Sequence, residues 1–293
     1  MKRIVLRLAR ALVSRRSFGL LLLAVLILFR IWDPLPLEEL RFRSFDLYQN
    51  ISPRIPDVLP VVIVDIDEAS IGTYGQWPWP RTLLADLLTR LDQMGALAVG
   101  FDVIFAEPDR SSPKEAAKHF RNLDDATRER LAHLPSNDDV FAEAIGRGKV
   151  VLGQSGTHVA NARSLEEELP ETGFATLGPD ATPYLIAFPH LLRNLPSLER
   201  AAAGRGLFSI RTEWDGMVRR VPVVMKTDDK TVPSLVLDVL RALTGSGAIL
   251  IRTDEAGISS VALPGFDLPT DRNGRIGFIS ARTTRRDMFR HGM

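Results

Sequence analysis

The sequence contains no cysteine. That absence removes disulfides, thiolate nucleophiles and Cys-ligated zinc or iron–sulfur centres. It does not fix a compartment; it only requires that an extracytoplasmic domain be held together by its core. Histidine is also scarce. The five residues, His119, His133, His158, His190 and His291, are scattered, and none has a second ligand three or four residues away on a helix, so no metal site is read. A surplus of one charge sign is lacking too: 37 basic against 36 acidic residues leave +1, which gives nucleic-acid binding no electrostatic footing. Glycine-rich phosphate loops are missing, because Gly204-Arg205-Gly206 opens a strand without the required helix behind it. Gly153-Gln154-Ser155-Gly156 is not the Gly-x-Ser-x-Gly turn of a serine nucleophile.

What the chain does have is an ordinary globular composition, 45% hydrophobic and 25% charged over 293 residues, enough for one large domain or two small ones. Its N-terminus is distinctive. Residues 1–16 carry Lys2, Arg3, Arg7, Arg10, Arg15 and Arg16 with no acid, and Phe18 to Phe29 follow as 12 uninterrupted apolar residues. Alone that run is short of the roughly 20 residues needed to cross a bilayer. Extended from about Val13 to Trp32, with Arg30 snorkelling and Trp32 at headgroup level, it becomes a marginal span. We therefore expect a basic cytoplasmic N-terminus at 1–16, a transmembrane anchor at 17–33 and a main domain outside the cytoplasm at 34–280. A cleaved signal peptide and a soluble helix are the alternatives. Residues 281–293 form a basic tail that fits no pattern.

The main domain opens on Val61-Val62-Ile63-Val64-Asp65-Ile66, a β-branched run that predicts a strand covered on both faces. Trp77-Pro78-Trp79-Pro80-Arg81 makes a rigid turn. The leucines from Leu83 to Leu91 recur at helical spacing up to Gly95, and Ala96 to Phe105 reads as a second strand, parallel to the first. Residues 111–135 read as a solvated helix or insertion. Ser136-Asn137-Asp138-Asp139 caps a helix running to about Ile145, and Lys149 to Gly153 form a third parallel strand. Residues 154–204 read as loop with one short helix near His190 to Leu195. Beyond them, Leu207 to Arg211 and Met217 to Met225 predict a hairpin about Trp214-Asp215-Gly216. A helix from Pro233 to Leu243 and strands near 248–252, 258–263 and 275–279 complete the pattern. The expected fold is α/β with a mixed sheet: a parallel strand–helix–strand core at 61–153, an antiparallel α+β half, and one N-terminal transmembrane helix.

Carboxylates gather at the predicted strand ends, where open α/β sheets bind ligands. Asp65, Asp67, Glu68, Asp102, Glu107 and Asp109, with Trp77, Trp79, Arg81 and Arg110, are the candidate ligand-binding residues. In a competing reading, Arg81 and Arg110 pair with Asp65 and Asp102 and hold the turn shut, because buried carboxylates need partners. Three motifs in this region, Val61 to Glu68, Trp77 to Arg81 and Gly95 to Phe105 with Glu107-Pro-Asp-Arg110, are followed by Asp215-Gly-Met-Val-Arg-Arg-Val-Pro222. In that order over about residues 40–280 they resemble the second type of CHASE domain, the extracytoplasmic sensory module of bacterial nucleotide cyclases and sensor kinases. The resemblance implies a bacterial inner-membrane protein with a cytoplasmic N-terminus and a periplasmic input domain that is non-catalytic by itself. Its partners would be the lipid bilayer, an unknown small-molecule signal, and a second copy or a separate cyclase or kinase. No cofactor and no nucleic acid are implied. The family's further membrane helices and output domain do not follow before Met293, so a truncated member, or one serving a separate output protein, is expected. Two other classes stay open: a periplasmic enzyme using Asp65, Asp67 and Asp102, and a structural envelope protein without a ligand.

Overall fold

The computed structural model describes residues 15–32, 35–53, 61–159, 171–227 and 230–277. They fall in two units, one holding the described residues up to Val62 and the other those from Ile63 onward. The tail at 281–293 and most of the basic stretch at 1–16 lie outside the described residues.

In the first unit, helix α1 spans Arg15–Trp32 and helix α2 spans Leu35–Ile51. Helix α1 exposes a continuous apolar surface from Leu20 to Phe29. At 1.5 Å per residue its 18 residues extend about 27 Å, with Arg15, Arg16 and Arg30 inside its bounds. No helix among the described residues is long and apolar enough to cross a membrane. The expected transmembrane helix is therefore not met within them.

The second unit is built in layers. It begins with a short helix α3 (Glu68–Tyr74) and helix α4 (Arg81–Gln93), then strand β1 (Val99–Phe101). Helices α5 (Pro113–Ala117), α6 (Asp125–Ala132) and α7 (Asn137–Gly146) lead to β2 (Val150–Thr157). After β3 (Gly173–Leu177) come β4 (Ile186–Phe188), β5 (His190–Leu192), α8 (Pro196–Ala201) and β6 (Gly204–Leu207). The remainder is β7 (Arg220–Pro222), β8 (Val224–Thr227), β9 (Lys230–Pro233), α9 (Leu235–Thr244), β10 (Ala248–Asp254), β11 (Gly257–Leu263), β12 (Phe266–Pro269) and β13 (Arg275–Gly277).

Strand β2 is the middle of the first sheet, parallel to β1 and β6 and, through its last residues, antiparallel to β5. Its first four residues are all buried, as expected of a strand covered on both faces. One face packs on α4, α7 and α8 through Leu84, Leu88, Phe141, Ile145, Leu152 and Leu198. Rings of Phe101, Phe105 and Phe141 meet edge to face at 5.2–5.7 Å in this core. The opposite face receives α9, and glycine makes its close approach possible. A Cβ on Gly206 would lie 2.5 Å from Leu235 Cα, and one on Gly100 would lie 3.1 Å from Val239 Cγ2. The far side of α9 supplies Leu237 to a second core with Ile249, Ile251, Val261 and Leu263. That core belongs to the sheet β12-β11-β10-β3, in which β3 is parallel to β10 and the other pairs are antiparallel.

The mixed α/β class is as the sequence pattern implies, but four elements differ. Residues 61–67 form no strand; Val61, Val62, Ile63 and Val64 stand 74%, 84%, 79% and 54% exposed. Apolarity signals a need for cover, yet strand formation needs a ladder partner, and the ladder recorded for β1 is with β2. The second strand contracts to Val99–Phe101. The hairpin about Trp214 is absent too: Gly216 does turn, at φ 80°, but β6 pairs with β2 and β7 pairs with β13. Local turn chemistry chose the bend, and burial of the flanking chains chose different partners. The short helix placed at His190 to Leu195 is instead β5 followed by α8 from Pro196.

Gly206→Ala tests the sheet–α9 contact. The added methyl meets backbone, which cannot rotate away, so destabilisation of about 1–3 kcal/mol is expected in chemical denaturation.

Candidate functional site: a buried Arg–Asp knot

Two helices begin at the same place. Helix α4 starts at Arg81 behind Pro80, which offers no side-chain cap, and α7 starts behind Ser136, whose hydroxyl accepts from the Asp138 N–H at 3.2 Å. The free N–H of Arg81 is taken by Asp109 Oδ2 at 2.8 Å, so a residue from the 105–112 loop caps α4. Both carboxylates at the site, Asp109 and Asp138, thus sit at helix N-termini, where the backbone dipoles favour negative charge.

Arg81 is buried at 7% exposure. Its guanidinium lies 4.4 Å above the Phe105 ring, a cation–π stack that a desolvated Arg favours. Its Nη2 reaches the Glu107 carbonyl at 3.5 Å, and its Nε faces Asp138 Oδ1 at 3.4 Å. The latter is a long ion-pair contact, and neither atom meets a better-placed partner. The two acids are treated differently. Asp109 accepts four hydrogen bonds, from the N–H of Arg81, the N–H and hydroxyl of Ser111, and Asn137 Nδ2, all at 2.7–2.8 Å. Burial pushes its pKa up, and these donors outweigh burial and hold it below the ordinary value. Asp138 accepts from the Asp109 N–H at 2.9 Å. Burial dominates there and, with the charge of Asp109, raises its pKa against the pull of that bond and of Arg81. A seam of hydroxyls closes the edge: Ser112 Oγ accepts from the Asn137 N–H at 3.0 Å and lies 3.2 Å from Ser136 Oγ.

Of the candidate residues, the structure brings Arg81 and Asp109 together and places the rest around or apart from them. Trp79 is buried and Trp77 half-buried, with rings 5.7 Å apart; Trp79 Nε1 donates to the Gly75 carbonyl at 2.7 Å. The Trp-Pro turn is therefore a lid over the first core, packed beside Leu84 and Phe105. Asp67 is exposed and caps α3 by accepting from the Ser70 N–H and hydroxyl, which lower its pKa. Asp65, Glu68 and Asp102 are exposed. Glu107 and Arg110 form an exposed ion pair at 3.7 Å. The expected pairing of Arg81 with Asp65 or Asp102 is corrected to Asp138 and Asp109, because those acids are carried by the elements that pack on α4. Asp138 was legible only as a helix-start residue. Two acids in one first turn, one of them on the face of Phe141 and Ile145, was the available signal.

A second network braces the site from below. Glu199, on α8 and fully buried, accepts from Gln154 Nε2 at 2.6 Å, the Asn194 N–H at 2.9 Å and Arg193 Nη2 at 2.9 Å. Asn194 in turn donates to the Gly153 carbonyl and accepts from the Phe105 N–H, fixing the ring beneath Arg81. Among the described residues no group of three or more His, Asp or Glu could hold a metal ion.

The second unit is thus a layered α/β domain with an internal polar centre. The profile of the CHASE2 domain matches residues 20–290, so the chain belongs to the CHASE2 domain family, whose members are extracytoplasmic sensory domains. No curated protein and no solved structure matches the chain.

Removing one partner of the knot separates its worth from that of the exposed pair. Arg81→Ala leaves two buried carboxylates without a counter-charge and is expected to cost about 3–5 kcal/mol of unfolding free energy. Arg110→Ala, at the exposed pair, is expected to change it by no more than about 0.5 kcal/mol. Parallel denaturant titrations measure both.

Proposed function

We propose that this chain is the input domain of a bacterial membrane signalling protein, held at the inner membrane by its N-terminal segment with its main domain in the periplasm. Membership of the CHASE2 family over residues 20–290 carries the reading. The exposed apolar stretch of α1 from Leu20 to Phe29 supports it, because a surface apolar around the helix circumference suits lipid better than water. The basic residues before α1 keep the N-terminus in the cytoplasm.

In this reading the domain performs no chemistry of its own. A signal engages the second unit, biases one of two arrangements of the knot, and is passed to a second copy of the chain or to a separate cyclase or kinase. Such a signal acts only by binding the two arrangements unequally. Among the candidate residues, Arg81 and Asp109 are best placed to report it, with the Trp77–Trp79 lid over the same core, whereas Asp65, Glu68, Asp102, Glu107 and Arg110 stand in water. Nothing in the geometry favours the catalytic reading of Asp65, Asp67 and Asp102, all of which are exposed.

Topology decides the reading. A reporter active only outside the cytoplasm, fused after Pro53, is expected to be active, and one that needs the cytoplasm is expected to be silent. The reverse result would overturn the placement.

A further inference from the structure

The knot buries two carboxylates against one guanidinium, and that imbalance has a chemical complement. Asp138 and Asp109 are 5% and 9% exposed, and Arg81 is 7% exposed. The other charged groups on the surrounding elements are turned away or engaged. Asp86 on α4, Arg110 in the loop, Lys114 on α5 and Asp139 on α7 are exposed. The Glu107 carboxylate faces Arg110, Glu115 is paired with Lys118, and Glu199 on α8 is held by Arg193 and Gln154. Among the described residues, Arg81 and Asp109 are the charges that bear on Asp138. With both acids ionised, the buried cluster carries one negative charge too many.

The acids have unequal claims on the single cation. Asp109 is saturated with donors, whereas buried Asp138 Oδ1 has only the long ion-pair contact to Arg81 Nε, at 3.4 Å. We propose that Asp138 is a proton-binding site: the closed knot takes up one proton from solvent on the Asp138 carboxyl and loosens as that proton is lost. Protonation leaves Asp109 and Arg81 as a balanced pair. Deprotonation leaves a surplus buried charge that is relieved when Asp138 reaches water, and that parts the start of α7 from the start of α4.

The directions of the two pKa shifts give the window. Asp138 is raised, so its contribution to the closed form is complete below the ordinary carboxylate value and is lost as pH rises through its folded pKa. Asp109 is lowered, so its contribution is present above the ordinary value and is lost only as pH falls through its folded pKa. The knot is therefore tightest between the two titrations and opens as pH rises through that of Asp138. The proposal rests on the sensory reading only in making the proton a signal for the domain.

Hydrogen exchange of the full chain in detergent, from about pH 4 to about pH 8, reads the opening after correction for the intrinsic rate. Protection of the amides of Arg81, Asp109 and Ser111 is expected to fall by up to about tenfold per pH unit between the ordinary carboxylate value and the Asp138 titration in the closed knot, and to level off above it. The β10–β11 hairpin, which contains none of these groups, is expected to show no such fall. Asp138→Asn, which cannot ionise, is expected to abolish the slope and keep those amides protected at neutral pH. A pH-independent protection in the wild-type chain overturns the proposal whether or not the variant folds, and so does a variant that keeps the slope. A reversed topology, by contrast, would remove the sensory meaning and leave the proton site standing.

Discussion

Burying one guanidinium with two carboxylates constrains everything around it. A charge removed from water is tolerated only where partners converge on it. Here that convergence requires the first turn of α4, the loop after β1 and the first turn of α7 to meet at one point. The Phe105 ring must lie flat beneath Arg81, and the Asn194 side chain must hold the Phe105 backbone in turn. The aromatic core and the polar knot are therefore one construction, apolar on one side of Arg81 and hydrogen-bonded on the other.

The same constraint explains how function is distributed along the chain. Asp102 follows the carboxyl end of β1, where α/β sheets usually bind ligands, and Asp65 and Asp67 follow a run that forms no strand; all three are exposed, and in water a carboxylate needs no buried partner. The internal pair does need one. It is held by packing on every side, which ties any change in its charge to the three segments that meet there.

Much of this was legible in the sequence. The helical spacing of Leu83 to Leu91, the Ser136 cap, the buried run from Val150 and the amphipathic helix after Pro233 each predicted an element that is present, because in each case local propensity and burial agree. Ordered motifs from Val61 to Pro222 identified the family, and Arg81 and Asp109 were among the residues singled out. What was not legible was pairing. Nothing local ties Asp138 to Arg81, or β6 to β2 rather than to the chain after Gly216; those choices come from packing between distant segments. The apolar run at Val61 misled for the same reason, since hydrophobicity reports what a segment avoids and not what it joins.

Alternation in β6 has a mechanical consequence. Gly204 and Gly206 turn their bare backbone toward α9, while Arg205 between them turns toward Glu199 on the other side of the sheet. With no side chain of its own to interpose there, the strand lets α9 approach closely, by backbone at Gly206 and by the Asp238 and Arg241 side chains at Gly204. The same helix supplies Leu237 to the second sheet. The two sheets consequently share one helix, so that a displacement of either sheet bears on the other through α9.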